Sequence, residues 1–324
     1  MIPFAPALTV QPLQMAQSAA LLRLLGPQMA ATPYSLPLDE ETVRREILAD
    51  APPTVYPVRW QRHLRLGAWR GGALVGFLDA AAGHDSESLD LPEYQPLGLI
   101  RFLALPEPGA ITGELVGELA GEVGAALLET VQRFWEQTGV GFVKAFHLST
   151  GYPSFQAGAG LLPGDWGQQV RALTAAGFHL RERYYCLYRP LGEPQEEVTP
   201  AADLSLVYRG TCHDRRYEIY YRRVEWVARA RLVAAPPVMG EAARQAQTEP
   251  VAYLPDIFVD PKWRRQDVGK WLLRRLINDA TMQGYGQMVL HLAHHHHAAM
   301  NLFVQQGFQE LSYRGYSLDK VLTH

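Results

Sequence analysis

Cysteine is nearly absent from this chain: among 324 residues only Cys186 and Cys212 occur, with no partner at metal-ligand spacing. That excludes a disulfide scaffold and a cysteine-based zinc site, and fits the reduced thiols of a cytoplasmic protein. No apolar run approaches the ~20 residues that span a bilayer, and the opening Met1-Ile2-Pro3-Phe4 lacks the basic stretch of a secretory leader. A net charge of −3 supplies no bulk attraction to nucleic acid or to an anionic membrane, so neither is expected as a partner. What the chain does have is apolar mass. With 48% hydrophobic and 19% charged residues it can bury real cores, and its length suggests two domains.

One pattern occurs twice. Glu122-Val123-Gly124, Leu127-Leu128 and Gly139-Val140-Gly141 reappear 145 residues later as Asp267-Val268-Gly269, Leu272-Leu273 and Gly284-Tyr285-Gly286. Both copies then reach Gly-Phe, at Gly177-Phe178 and Gly307-Phe308, before an aromatic strand. That offset is only 130, so the first copy holds about 15 extra residues, assigned to Gly151–Gly167. This stretch is rich in Gly, Pro and aromatics and reads as a long loop.

Each copy reads as a hairpin, a strand, a helix, a strand, a helix ending in Gly-Phe, and a last strand. The hairpins are expected at His63–Trp69 with Ala73–Ala80, and at Arg216–Arg223 with Glu225–Ala234. Strand-to-helix passages are expected from Leu99–Leu105 into Gly117–Gln137, and from Val251–Val259 into Val268–Gln283. In the latter helix Val268, Trp271, Leu272, Leu276, Ile277 and Ala280 share one face. Two helices, Gln14–Met29 and Asp39–Ala49, precede the first hairpin, the second with Asp39 as N-cap. Only Asp203–Cys212 precedes the second hairpin. The proline-punctuated, acidic stretch 191–202 is the expected linker, with domains at 1–190 and 203–324.

The chemistry concentrates at Val259–Lys270. A strand ends at Val259, Pro261 blocks its continuation, and a helix starts near Val268. A strand-to-helix turn with glycine offers free N–H groups and the positive end of a helix dipole, which suits phosphate or pyrophosphate. Lys262, Arg264, Arg265 and Lys270 add charged donors. A solvated basic face is the competing reading.

Val259, Pro261, Arg264 and Gly269 resemble the Val-x-Pro-x-x-Arg-x-x-Gly-x-Gly/Ala motif of the GNAT (N-acetyltransferase) superfamily. His296 through Phe308 resembles that family's Asn-x-x-Ala-x-x-Leu-Tyr-x-x-x-Gly-Phe. The resemblance covers nearly all of the second copy and, more weakly, residues 60–190. It implies an α/β (α+β) fold of two tandem GNAT-like domains, each a mixed, mostly antiparallel sheet flanked by helices. It also implies an acyl-CoA-dependent N-acyltransferase, with acetyl-CoA or another acyl-CoA as cosubstrate, no metal, and a small-molecule amine as acceptor. In that frame Ile257, Phe258 and Val259 meet the pantetheine arm. Arg264, Arg265, Gln266, Asp267, Val268, Gly269 and Lys270 hold the pyrophosphate, and His296 and Phe303 lie near the cofactor. Asp256 is the candidate general base. The chain is expected to act as a monomer or homodimer.

Three departures stand out. Asp267 replaces the first motif glycine, and His296 replaces the asparagine. Phe303 replaces the tyrosine that protonates the leaving thiolate in many members; Tyr313, Tyr316 or the histidines are alternative sources. These departures keep a non-catalytic acyl-CoA sensor, or a GNAT-fold interaction protein without cofactor, as competing readings. In the first copy no Arg or Lys occurs between Arg101 and Arg133, while Glu114, Glu118 and Glu122 crowd the turn, so that copy is read as not binding CoA. His291 and His294–His297 are read as a strand end and helix start rather than a metal site. Tyr217, Tyr220, Tyr221 and Trp226 are read as core or strand-face residues, with an acceptor pocket as the alternative.

Overall fold

The computed structural model describes residues 6–50, 59–84, 96–106, 115–200, 203–235 and 250–322. The chain forms two compact units, Met1–Arg183 with Gly315–His324, and Tyr184–Arg314.

In the first unit, β1 (Leu8–Pro12), β2 (Arg59–Arg70), β3 (Ala73–His84), β4 (Leu97–Ala104) and β5 (Phe142–Ala145) lie in chain order. All neighbours are antiparallel except β4 and β5. That parallel pair is joined by α3 (Leu115–Gln137), as a parallel connection requires. Before the hairpin come α1 (Ser18–Ala30) and α2 (Glu40–Thr42), the latter continued by a π-helical turn, Val43–Leu48. Asp39 caps α2 as expected, its carboxylate accepting from the Thr42 N–H at 2.7 Å. The unit ends with β6 (Leu162–Pro163), α4 (Gly167–Ala175) and the start of β7 (His179–Pro190).

In the second unit, β8 (Leu204–Gly210), β9 (Asp214–Tyr221), β10 (Glu225–Ala235), β11 (Val251–Val259) and β12 (Gln287–Ala293) repeat the plan. Helix α5 (Val268–Met282) joins the parallel pair β11–β12, and α6 (His297–Gln305) leads to β13 (Gln309–Val321). Val268, Trp271, Leu272, Leu276, Ile277 and Ala280 are buried in this unit's core, matching the expected helix face.

The last strands are exchanged. Tyr184–Pro190 of β7, the end of the first repeat, pairs antiparallel with β12 of the second. Gly315–Val321 of β13, the end of the second repeat, pairs with β5 and β6 of the first. The units therefore differ from the sequence-based boundaries: 191–202 falls inside the second unit, and β13 passes between units at Arg314–Gly315.

A second difference concerns Gly151–Gly167. Read as a long loop, the segment is buried throughout its residues 151–162. A buried loop must satisfy its backbone locally. Here Ser154 N–H donates to Glu46, Gln156 N–H to the Ser35 hydroxyl, and Ala157 N–H to the Tyr34 carbonyl, at 2.9, 3.1 and 2.8 Å.

Candidate functional site

The site of the second unit begins where β11 and β12 part. Only Val251–Tyr253 pair with Gln287–Val289. Beyond Tyr253 strand β11 continues on β10 alone, through Asp256 to Val259, with a bulge between Tyr253 and Asp256. Residues 255–259 are half-buried, and the edge of Ile257–Val259 away from β10 is not paired with β12.

At the cleft mouth, Asp260 accepts from Lys262 N–H at 2.9 Å and starts a 3-10 turn, Pro261–Trp263. Arg264 folds back: its Nε donates to the Val259 carbonyl at 3.1 Å, and its guanidinium carbon lies 5.6 Å from the Phe258 ring centre. Gln266 bonds the Lys262 carbonyl at 2.8 Å. Arg265 and Asp267 both adopt left-handed backbone, at φ 61° and 58°. The first helical bond runs from Trp271 N–H to the Asp267 carbonyl at 2.9 Å, and the N–H groups before it lack intrahelical acceptors, as at any helix start. Arg264, Arg265, Gln266 and Asp267 are exposed, Gly269 and Lys270 half-buried, and Val268 buried in the core. A Cβ on Gly269 would meet Leu302 and Val259 at 3.5 and 3.6 Å, ordinary contact distances. The fold therefore does not demand glycine there.

Asp267 acquires a physical reading the sequence alone did not give. Its position needs φ near +58°, which glycine adopts freely and aspartate tolerates at a cost. Asp267→Gly is expected to relieve that strain and remove a carboxylate from the turn read in the sequence as an anion site. At an effective dielectric of about 20, unit charges ~6 Å apart interact by roughly 3 kcal/mol. After screening at this exposed turn, affinity for acetyl-CoA should rise about tenfold, read by calorimetric titration. An unchanged affinity would remove Asp267 from that site.

The remaining residues divide. Asp256 is ion-paired to Arg229, Nε to Oδ2 at 2.9 Å. His296 precedes α6 as its N-cap residue, beside His295 with ring centres 4.1 Å apart. Phe303 is 2% exposed and packs edge-on against Phe308 at 5.3 Å, within the core. Among the described residues no group of three His, Cys, Asp or Glu is arranged to hold a metal. Tyr217 belongs to the core, donating to Asp279, and Tyr221 packs on Trp263 at 5.0 Å.

The corresponding cleft of the first unit is filled. Counting from the pairs Leu97–Phe142 and Val251–Gln287, the counterpart of Asp256 is Phe102. Around the Phe102 ring stand Tyr152, Phe155 and Trp166 of the inserted segment, at 5.5, 5.2 and 5.5 Å, with Phe146 at 6.2 Å. Every residue of β4 after Leu97 is buried. Beneath the ring, Arg101 and Asp79 form a fully buried pair that Tyr152 joins with a 2.7 Å bond. Residues 107–114 of the corresponding turn, which was read as not binding CoA, lie outside the described residues, Glu114 among them. Glu122 pairs with Arg70 at 2.8 Å. A separate cavity of about 570 Å³ runs along α3 and α4 to Lys320.

The splayed parallel pair, the turn and the following helix define the class. Residues 184–308 match the model of the acetyltransferase (GNAT) family, nearly the span of the second unit. This region is similar to the GNAT family, and the chain carries the tandem GNAT fold along its length. It superposes on a tandem GNAT protein from the clavulanic acid biosynthesis pathway, solved without AcCoA, with TM-score 0.62 and 14% identity over 97% of this chain and 98% of that one. A GCN5-related N-acetyltransferase from Sphaerobacter thermophilus gives TM-score 0.59 and 10% identity, over 97% and 95%. The glucosamine N-acetyltransferase region of a fungal GH3 β-N-acetylglucosaminidase gives 0.67 and 10%, over 98% of this chain and 38% of that one. No curated protein matches in sequence. No helix among the described residues is long and apolar enough to cross a membrane.

Proposed function

We propose that this chain is an acyl-CoA-dependent N-acyltransferase, using acetyl-CoA and a small-molecule amine at its second unit, in the cytoplasm. The contrast between the two clefts carries the reading: β11 is half-buried from Pro255 to Val259 while β4, its counterpart, is sealed by the chain's own aromatics. The backbone of Ile257–Val259 would bond the pantetheine arm, and the Arg264–Lys270 turn would take the pyrophosphate.

In the reaction the amine nitrogen attacks the thioester carbonyl, a C–N bond forms and the C–S bond breaks. Of the two protons the ammonium loses, one leaves before attack, to Asp256 directly or through water, and one balances the departing thiolate. Phe303 has no proton to give and is buried in the core, so the thiol proton comes from another side chain or from water. Backbone N–H groups at the cleft would stabilise the oxyanion, and juxtaposition of the reactants supplies much of the remaining rate.

Titration with acetyl-CoA tests the reading, with an expected stoichiometry of one per chain. Two sites would contradict a sealed first cleft, and no binding would leave a GNAT-fold interaction protein. Release of free thiol on adding an amine panel separates the enzyme from an acyl-CoA sensor, the reading that Phe303 and Asp267 favour.

A further inference from the structure

The sheet face of the second unit turned away from α5 and α6 carries chemistry that acyl transfer alone leaves without a task. Tyr217 and Ile219 of β9, and Ala228 and Ala230 of β10, are core residues packed with those helices. Strand alternation therefore sends Glu218 and Arg229, direct partners across β9 and β10, to the other face. Asp256 joins them there through Arg229 Nε at 2.9 Å. Beside this ion pair the Trp226 and Phe258 rings are stacked, centres 5.8 Å apart at 17°. The Arg229 guanidinium carbon lies 5.7 Å from the Phe258 centre. Tyr220 donates to Glu218 at 3.1 Å.

As a structural device the ion pair is weak. Its side chains are 55% and 37% exposed, and pairs in such settings contribute about 0–1 kcal/mol. As a recognition device it is specific. A cation and an anion side by side complement a molecule carrying an anion and a cation side by side, and an amino acid is the simplest amine with that pattern. Arg229 spends Nε on Asp256, while its Nη groups present the planar fork that suits a carboxylate. The ammonium of the same molecule then falls to Asp256, next to the splayed strand where the thioester would lie. The Trp226–Phe258 pair offers a flat apolar shelf for a side chain.

We infer that the acceptor is an amino acid with an apolar or aromatic side chain. Arg229 takes its carboxylate, Asp256 its ammonium, and Trp226 with Phe258 its side chain. This rests on the acyl-transfer reading above and adds to it a substrate class and a specificity residue.

Acetyl transfer by the full chain, measured with phenylalanine and with phenethylamine, tests it, because the two amines differ only in the carboxylate. The expected kcat/KM is at least tenfold higher for phenylalanine. Arg229→Ala should raise KM for phenylalanine at least tenfold with little change for phenethylamine, and Arg229→Lys should recover part of the loss. An unchanged circular dichroism spectrum and Tm establish that both variants are folded. Equal use of the two amines, or an Arg229→Ala effect common to both, overturns the amino-acid inference and leaves acyl transfer standing. Binding of acetyl-CoA with no transfer to either compound, or to any member of a broad amine panel, overturns both.

Discussion

Removal of residues 315–324 is expected to abolish cooperative folding of the first unit while leaving Tyr184–Arg314 protected. The deleted segment pairs with β5 from Leu318 to Val321 and with β6 at Gly315 and Tyr316. It also puts Leu318 and Leu322, 2% and 7% exposed, into the first core, with Tyr316 packed against them. Losing one buried leucine side chain costs about 2–5 kcal/mol. Two of them, with a row of ladder bonds, match the roughly 5–15 kcal/mol that holds an ordinary domain folded. Hydrogen exchange resolved by segment is the measurement. Amides of β2 and β3 should lose protection, and those of β9 and β10 should keep it. Persisting protection in β2 and β3 would mean that β13 is dispensable to that unit.

Acidification is expected to destabilise the second unit through His291. This side chain is buried on β12 between Tyr253 and Tyr313, ring centres at 5.8 and 6.5 Å, with the Tyr253 hydroxyl 3.4 Å from Nδ1. Burial holds its pKa down at about 3, against 6.5 for the free side chain. The sign follows from which state binds the proton. Above pH 6.5 both states are neutral and His291 makes no difference. Below it the unfolded chain gains a proton that the folded chain refuses, so stability falls steadily until pH nears 3. At pH 5 the loss is roughly 2 kcal/mol, from 1.5 pH units at 1.36 kcal/mol each. His63 acts in the same direction in the first unit, its pKa lowered to about 4 chiefly by burial. Replacing His291 by Phe, which can pack between the same rings, should flatten the dependence of second-unit stability on pH between 6.5 and 5. If Tm falls equally in both proteins over that range, another group is responsible.

What was legible in the sequence was whatever is written locally and twice. The hairpins, the parallel crossover with its helix, and the Gly-Phe helix ends all follow from short patterns, and each lies within a few residues of its expected span. The strand exchange was not legible. β7 and β13 are both aromatic strands after Gly-Phe, and nothing in either pattern states whether β5 or β12 will be its partner. The burial of residues 151–162 was missed for a related reason. Gly, Pro and aromatic residues signal an exposed loop until distant groups, here Glu46, Ser35 and the Tyr34 carbonyl, satisfy its backbone. At the site, the basic turn and its missing glycine could be read directly. The fold-back of Arg264 onto Val259, and of Phe303 onto Phe308, depended on three-dimensional neighbours. Arg229 carried no motif; its pairing with Asp256 emerges only once β10 and β11 lie side by side.

The exchanged strands also impose an order on biosynthesis. Gly315–Val321 leaves the ribosome after every other strand of both units, and long after β5. The first unit must therefore wait, with β5 paired to β4 alone, until that segment has been made. The second unit has all of its strands once Arg314 has emerged. Domains usually mature from the N-terminus as they are synthesised; here the later-encoded unit can be complete first, and the earlier one closes only when Gly315–Val321 arrives.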